Sequence, residues 1–162
     1  NFIKSGQLIL SKHKFTKTAV YDLPTVTRRT LGKGHYIKRV VTYGKVKSKN
    51  ETIGIYNLHL ENACGPSGRK KQIEYLLKII EKNNDNIIIL GGDFNTFTTR
   101  IFESGIKILE NMGFENPFKN EFRLIPRLDY FFVKNTPINL FKVRGSGSDH
   151  QPILIKIKLK KW

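Results

Sequence analysis

Four short polar groups in the chain carry the residue types that hydrolytic chemistry needs. Asn57, His59 and Glu61 alternate with Leu58 and Leu60, so a strand there would gather the polar three on one face. Gly91-Gly92-Asp93-Phe94-Asn95-Thr96 follows the apolar run Ile87 to Leu90. Its two glycines let the backbone turn sharply as it leaves a sheet. Asp93 and Asn95, a carboxylate and an amide two residues apart, suit an oxygen-ligated Mg²⁺ and an activated water. Asp129 stands inside Arg127-Leu128-Asp129-Tyr130-Phe131-Phe132-Val133, where a carboxylate needs a donor. Ser148-Asp149-His150 sits between Gly145-Ser146-Gly147 and Gln151-Pro152. Neighbours in a strand point to opposite faces, so His150 needs a carboxylate from elsewhere, and Asp129 is the natural one. Plainer readings exist for each group. The first could be a solvated sheet edge, the second a strand-ending turn, and the third an Arg127–Asp129 ion pair.

Each polar group falls at or just beyond the end of an expected strand. Short strands are expected over Gln7 to Ser11 and near Thr18 to Asp22, and longer ones over Tyr36 to Val46 and Thr52 to Leu60. The polar stretch Lys47 to Glu51 makes the latter two an antiparallel hairpin. Pro66 and Ser67 introduce a helix whose apolar stripe is Ile73, Leu76, Leu77 and Ile80, and Asn83 to Asn86 ends it. Arg69 and Gln72 on that helix are read as structural. Ile87 to Leu90 is a buried strand, and a second helix covers about Phe102 to Asn111. Three strands follow over Leu128 to Val133, Asn139 to Val143 and Pro152 to Leu159. Strands dominate and hairpins outnumber βαβ units, which predicts an α+β layered domain of mostly antiparallel sheets.

The 162 residues suffice for one domain with a real core. A net charge of +16 favours polyanionic partners, although the basic residues are scattered rather than blocked together. No apolar run approaches the roughly 18 residues needed to cross a bilayer. The one cysteine, Cys64, forms no internal disulfide, which favours an intracellular, reducing setting or a domain indifferent to redox state.

In order and spacing, the series N-x-H-L-E, amphipathic helix, GGDFN, R-L-D-Y-F-F-V and G-S-D-H-x-P-I resembles the endonuclease/exonuclease/phosphatase superfamily, whose members are deoxyribonuclease I-like. The resemblance begins at Gly6 to Ser11 and runs to the final strand. It implies a four-layer α/β/β/α sandwich with the site on the rim at one end. Asp93 would orient or deprotonate the attacking water, and Asn95 would bind the phosphoryl oxygen or assist the metal. His59 and His150 would contact the scissile phosphate, Asp129 would hold His150, and Asp149 would lie beside the metal. Asp93, Asn95 and Asp149 are thus the expected ligands of Mg²⁺ or Mn²⁺. The family draws a metal-binding glutamate from strands preceding the region that Gly6 opens. The resemblance therefore implies a partial domain over residues 1–162, its C-terminal portion, with N-terminal strands missing. A histidine at position 59 is similar to the deoxyribonuclease I, sphingomyelinase, tyrosyl-DNA phosphodiesterase and uncharacterised hydrolase branches. The function expected is metal-dependent hydrolysis of phosphodiesters, with nucleic acid as substrate. The alternatives are a phosphatase, a lipid phosphodiesterase, or a non-catalytic phosphate-binding domain.

Overall fold

The computed structural model describes residues 6–26, 38–48, 50–96, 103–119, 128–142, 147–148 and 150–159. The elements run β1 (Phe15–Asp22), β2 (Val40–Ser48), β3 (Glu51–His59), α1 (Gly65–Asn83), β4 (Ile87–Asp93), α2 (Ser104–Asn111), β5 (Asp129–Lys134), β6 (Ile138–Lys142) and β7 (Ile153–Ile157). The first five strands form one sheet in the order β1-β2-β3-β4-β5, and β6 pairs with β7 in a second. Every pairing is antiparallel except β3 with β4, which α1 connects as a crossover. The expectation of an α+β domain with mostly antiparallel sheets therefore holds in its coarse form, as helices on a mixed five-stranded sheet.

Alternation along the strands sorts side chains to two faces. Val41, Tyr43, Tyr56, Leu58, Ile88, Leu90, Tyr130 and Phe132 face the helices and bury Ile73, Leu76, Ile79, Ile80, Ile106 and Leu109. On the opposite face Val46, Ile53 and Ile87 form a smaller cluster, against which Phe15, Ile55, Ile89, Ile157 and Leu159 pack. The described residues thus stack as helices, a five-stranded sheet and the β6–β7 hairpin. Pro lies in the first turn of α1, whose end is capped by Asn84 in the left-handed region (φ 50°), its N–H donating to Ile80 O.

One expected strand is absent. Residues Gln7 to Ser11 carry no strand, and side chains hold them instead. Gln7 Nε2 donates to Val40 O at 3.1 Å, and Asn57 Nδ2 donates to Leu8 O at 3.2 Å. An apolar alternating run is only a strand where a neighbouring ladder accepts it, and none does among the described residues.

Below the floor of the main sheet, Asp85 is sealed in a polar knot. Its carboxylate accepts from Tyr43 Oη (3.0 and 3.1 Å) and Tyr56 Oη (3.0 Å) and pairs with Lys45 Nζ at 2.8 Å. Asn83 joins through Nδ2 to Tyr56 Oη at 3.2 Å, and Lys45 Nζ donates to Asn83 O at 3.1 Å. The end of α1 is thereby tied to β2 and β3. Gly54 leaves the room, since a Cβ there would strike Asp85 Oδ2.

A second glycine decides the geometry at the other end. Gly92 has φ 131°, and a Cβ on it would run into Leu58 O of the adjacent strand. We expect Gly92→Ala to cost about 1–3 kcal/mol in backbone strain alone. The clash then forces β4 away from β3. Denaturant unfolding checks this, and an unchanged midpoint would contradict it.

Candidate active site

Parallel pairing of β3 with β4 sets two carboxyl-terminal strand ends side by side. His59 pairs in register with Asp93, and Asp93 with Asp129 on β5, so three polar side chains occupy one row across the sheet. They lie on the face away from the helices, because the row beside them, Leu58, Gly92 and Tyr130, faces the helical core. His59 Nε2 stands 3.4 Å from Asp93 Oδ2. His150 arrives from the segment before β7 and places Nδ1 2.6 Å from Asp129 Oδ2. The N–H of His150 also donates to Ser148 Oγ at 3.1 Å, which fixes the turn presenting the ring. The result is two histidine–carboxylate pairs on one rim.

Both rings are partly open to solvent, with side-chain exposures of 44% for His59 and 37% for His150. Partial burial lowers the His59 pKa below its ordinary 6.5, and the positive charge of Arg39 lowers it further. Asp93 and Glu61 act in the opposite direction, and His150 adds to the lowering, which places it within electrostatic reach. His59 is therefore a neutral imidazole at pH 7, able to donate from one nitrogen and accept at the other.

Asp93 is held by its surroundings. Oδ1 accepts the Asn95 N–H at 2.8 Å, and the Asp93 carbonyl accepts the Leu60 N–H at 2.9 Å. Asn95 itself is buried in the left-handed region (φ 49°), and its Nδ2 donates to Leu60 O at 2.8 Å. Its amide nitrogen is thus committed to the loop after β3. Phe94 between them is fully buried in the helical core. Asp149 and Arg127 lie outside the described residues.

Glu61 departs from the expected alternation. It lies past the end of β3 and is buried rather than sharing a face with Asn57 and His59. Its backbone N–H donates to Gln72 Oε1 at 2.9 Å, and its carboxylate accepts from Ala63 N at 3.1 Å and Arg39 Nε at 3.4 Å. Burial raises its pKa, but the N–H donors of Ala63 and Asn62 and the Arg39 guanidinium outweigh it, leaving the carboxyl below its ordinary 4.5. A depressed acid contributes stability that is present above 4.5 and lost as pH falls through the folded value. Glu61→Gln should flatten that part of the acid limb in a plot of melting temperature against pH, and an identical limb would refute it.

Beside the row runs a cleft of about 700 Å³, bordered by Asn57, Gly91, Asp129, His150, Pro152 and Ile153. Among the described residues, no three or more His, Cys, Asp or Glu side chains converge as a metal site. These residues alone do not make a full ligand set for a divalent cation. One contributor, Arg39, escaped the sequence reading, and another, Gln72, was read only as structural. Arg39 is one basic residue among many, with no pattern to mark it. Gln72 did leave a signal: Arg69 and Gln72 sit three apart on the same arc as Ile73 and Leu76, and all four are buried.

Comparison with known proteins agrees with this fold. No curated protein matches the chain in sequence. A functionally unknown conserved protein from Enterococcus faecalis V583 has a similar structure, with TM-score 0.69 and 15% identity over 91% of this chain and 67% of that one. The mannosyl-6-phosphatase of Bacteroides thetaiotaomicron VPI-5482 gives TM-score 0.63 and 16% identity over 90% and 67%. The human Nocturnin catalytic domain with bound sulfate gives TM-score 0.52 and 20% identity over 78% and 50%. The chain spans two thirds or less of the length of these structures. At such identities the likeness is one of fold. The sequence match is broader: the Endonuclease/Exonuclease/phosphatase family covers residues 1–150, and this chain belongs to it.

Proposed function

We propose that the chain carries the water-activating and phosphate-contacting rim of a phosphoesterase that cleaves phosphodiesters, with nucleic acid as the leading substrate class. The observation behind this reading is the single row His59–Asp93–Asp129 with His150 docked on its end. In that arrangement Asp93 orients a water and takes its proton as the oxygen attacks phosphorus, while the ester P–O bond in line with it breaks and the departing oxygen takes a proton from solvent. Asp129 commits Nδ1 of His150 and leaves Nε2 as the ring atom to meet a phosphoryl oxygen. His59 meets the phosphate from the other side of Asp93. Asn95 acts through Leu60 rather than on the substrate directly. The formal charge of +16 suits a polyanionic substrate.

Mg²⁺ or Mn²⁺ remains the expected cofactor, with Asp93 the carboxylate best placed to contribute and Asp149 a further ligand. No step above depends on it. The cleft beside β7, walled by Leu8, Leu10, Ile55 and Phe131, supports reading the second sheet as completed by further strands in a four-layer sandwich. Rates on DNA, RNA and simple phosphodiesters are expected to exceed those on phosphomonoesters, inositol phosphates and sphingomyelin. The reverse order would overturn the substrate assignment.

A further inference from the structure

Helix α1 reaches into the rim through one side chain. Gln72 is completely buried, accepts the Glu61 N–H at 2.9 Å through Oε1 and donates from Nε2 to Pro24 O at 3.0 Å. Glu61 is two residues past His59. Leu60 between them is pinned from the other side, its N–H to Asp93 O at 2.9 Å and its carbonyl to Asn95 Nδ2 at 2.8 Å. The peptides leaving β3 are therefore gripped alternately by the Asp93–Asn95 loop and by Gln72. The 3.4 Å separation of His59 from Asp93 is set within this grip. A buried amide hydrogen bond that serves only cohesion could sit anywhere on α1; this one closes on the turn that aims the histidine.

We infer that Gln72 is a positioning residue for the His59–Asp93 pair, acting through the Glu61 peptide. The inference rests on reading that pair as part of the reacting rim. Losing Gln72 Oε1 would leave the buried Glu61 N–H without an acceptor, and the turn would shift to recover one.

The test uses the whole chain and long-range ¹H–¹⁵N spectra of its imidazoles, which report tautomer and hydrogen bonding without requiring activity. In Gln72→Met the His59 resonances should move towards those of a free histidine, while those of His150, held by Asp129, stay. Ile79→Ala, a core truncation elsewhere on α1, should lower stability and leave His59 unmoved. Gln72→Glu supplies the sharper readout. As a neutral acid it reproduces both bonds, its carbonyl accepting from Glu61 and its hydroxyl donating to Pro24. Once ionised it loses the donor. Because it keeps an acceptor for the Glu61 N–H in either protonation state, its His59 signals should stay with those of the parent. Unmoved His59 signals in Gln72→Met, or a Gln72→Glu displacement as large as that of Gln72→Met, would overturn the inference. Turnover on bis(4-nitrophenyl) phosphate is measured alongside. A parent without turnover, whose His59 signals still respond to Gln72, would refute the rim's reactivity and leave the positioning role standing.

Discussion

We expect Asp93→Asn to lower phosphodiester turnover about 10²–10⁴-fold, the usual contribution of a positioned general base, which is the role proposed for it. The substitution is close to isosteric, and its side-chain carbonyl can still accept the Asn95 N–H that now reaches Oδ1 at 2.8 Å. The loop therefore keeps its shape, and what disappears is the negative charge and the capacity to take a proton. In the proposed arrangement the partner 3.4 Å away, His59, is directed at the phosphate and not at the water, so it does not take over that function. Substrate affinity should change much less than turnover, because the phosphate contacts proposed for His59 and His150 are untouched. The check is kcat and KM on one phosphodiester, with thermal melts to confirm the fold. Turnover within about twofold of the parent would remove Asp93 from the site, as no structural account rescues a base that can be dispensed with.

The second large effect concerns the opposite end of the sheet. Asp85→Ala is expected to destabilise the chain by about 3 kcal/mol, the lower end for breaking a buried ion pair, since Lys45 keeps some solvent contact. The carboxylate is fully enclosed and satisfies Tyr43, Tyr56 and Lys45 together. Without it an ammonium and two phenol groups face a void at the base of the core. Burial is the largest cause of the raised pKa of both tyrosines and does not depend on Asp85, so neither phenol ionises readily to balance Lys45. The corresponding fall in melting temperature is about 6–12 °C for a domain of this size. Asp85→Asn, which retains acceptors for the tyrosines, should lose less. Equal stability of Asp85→Ala and the parent would show that the knot contributes nothing net.

The two ends differ in how visibly they are written. The rim was legible because each of its residues terminates an apolar alternation: His59 after Ile53 and Ile55, Asp93 after Ile87 to Leu90, Asp129 before Phe131. Pairing of Asp129 with His150 follows from the rule that a carboxylate in an apolar strand needs a donor, and the structure brings the two to 2.6 Å. The single row was not legible, because register between β3, β4 and β5 is a property of pairing and not of any one strand. Glu61 defeated the period-two reading, since alternation means nothing beyond the last ladder bond. The Asp85 knot was hidden in Asn83 to Asn86, which reads as an ordinary helix stop. Its partners Tyr43 and Tyr56 look like common strand aromatics until the hairpin register sets them opposite each other. Gln7 to Ser11 has the composition of a strand, but strand formation needs a neighbour that no local pattern can supply.

Helix α1 behaves as a ruler. Its 19 residues extend about 28 Å, and the nine residues of β3 that it runs back along extend about 30 Å. The helix is fastened at two points, by Gln72 in its first half against Glu61 at the rim and by its last residue, Asn83, against Tyr56 beside Asp85 at the base. Distance along the sheet is thus copied into residue count along the helix. Adding a single residue between the two fasteners would lengthen the rule by about 1.5 Å and rotate one fastener about 100° relative to the other. Length variation should therefore be accepted in the loops and refused inside α1, even at its exposed lysines, where side-chain substitutions other than proline and glycine should cost little.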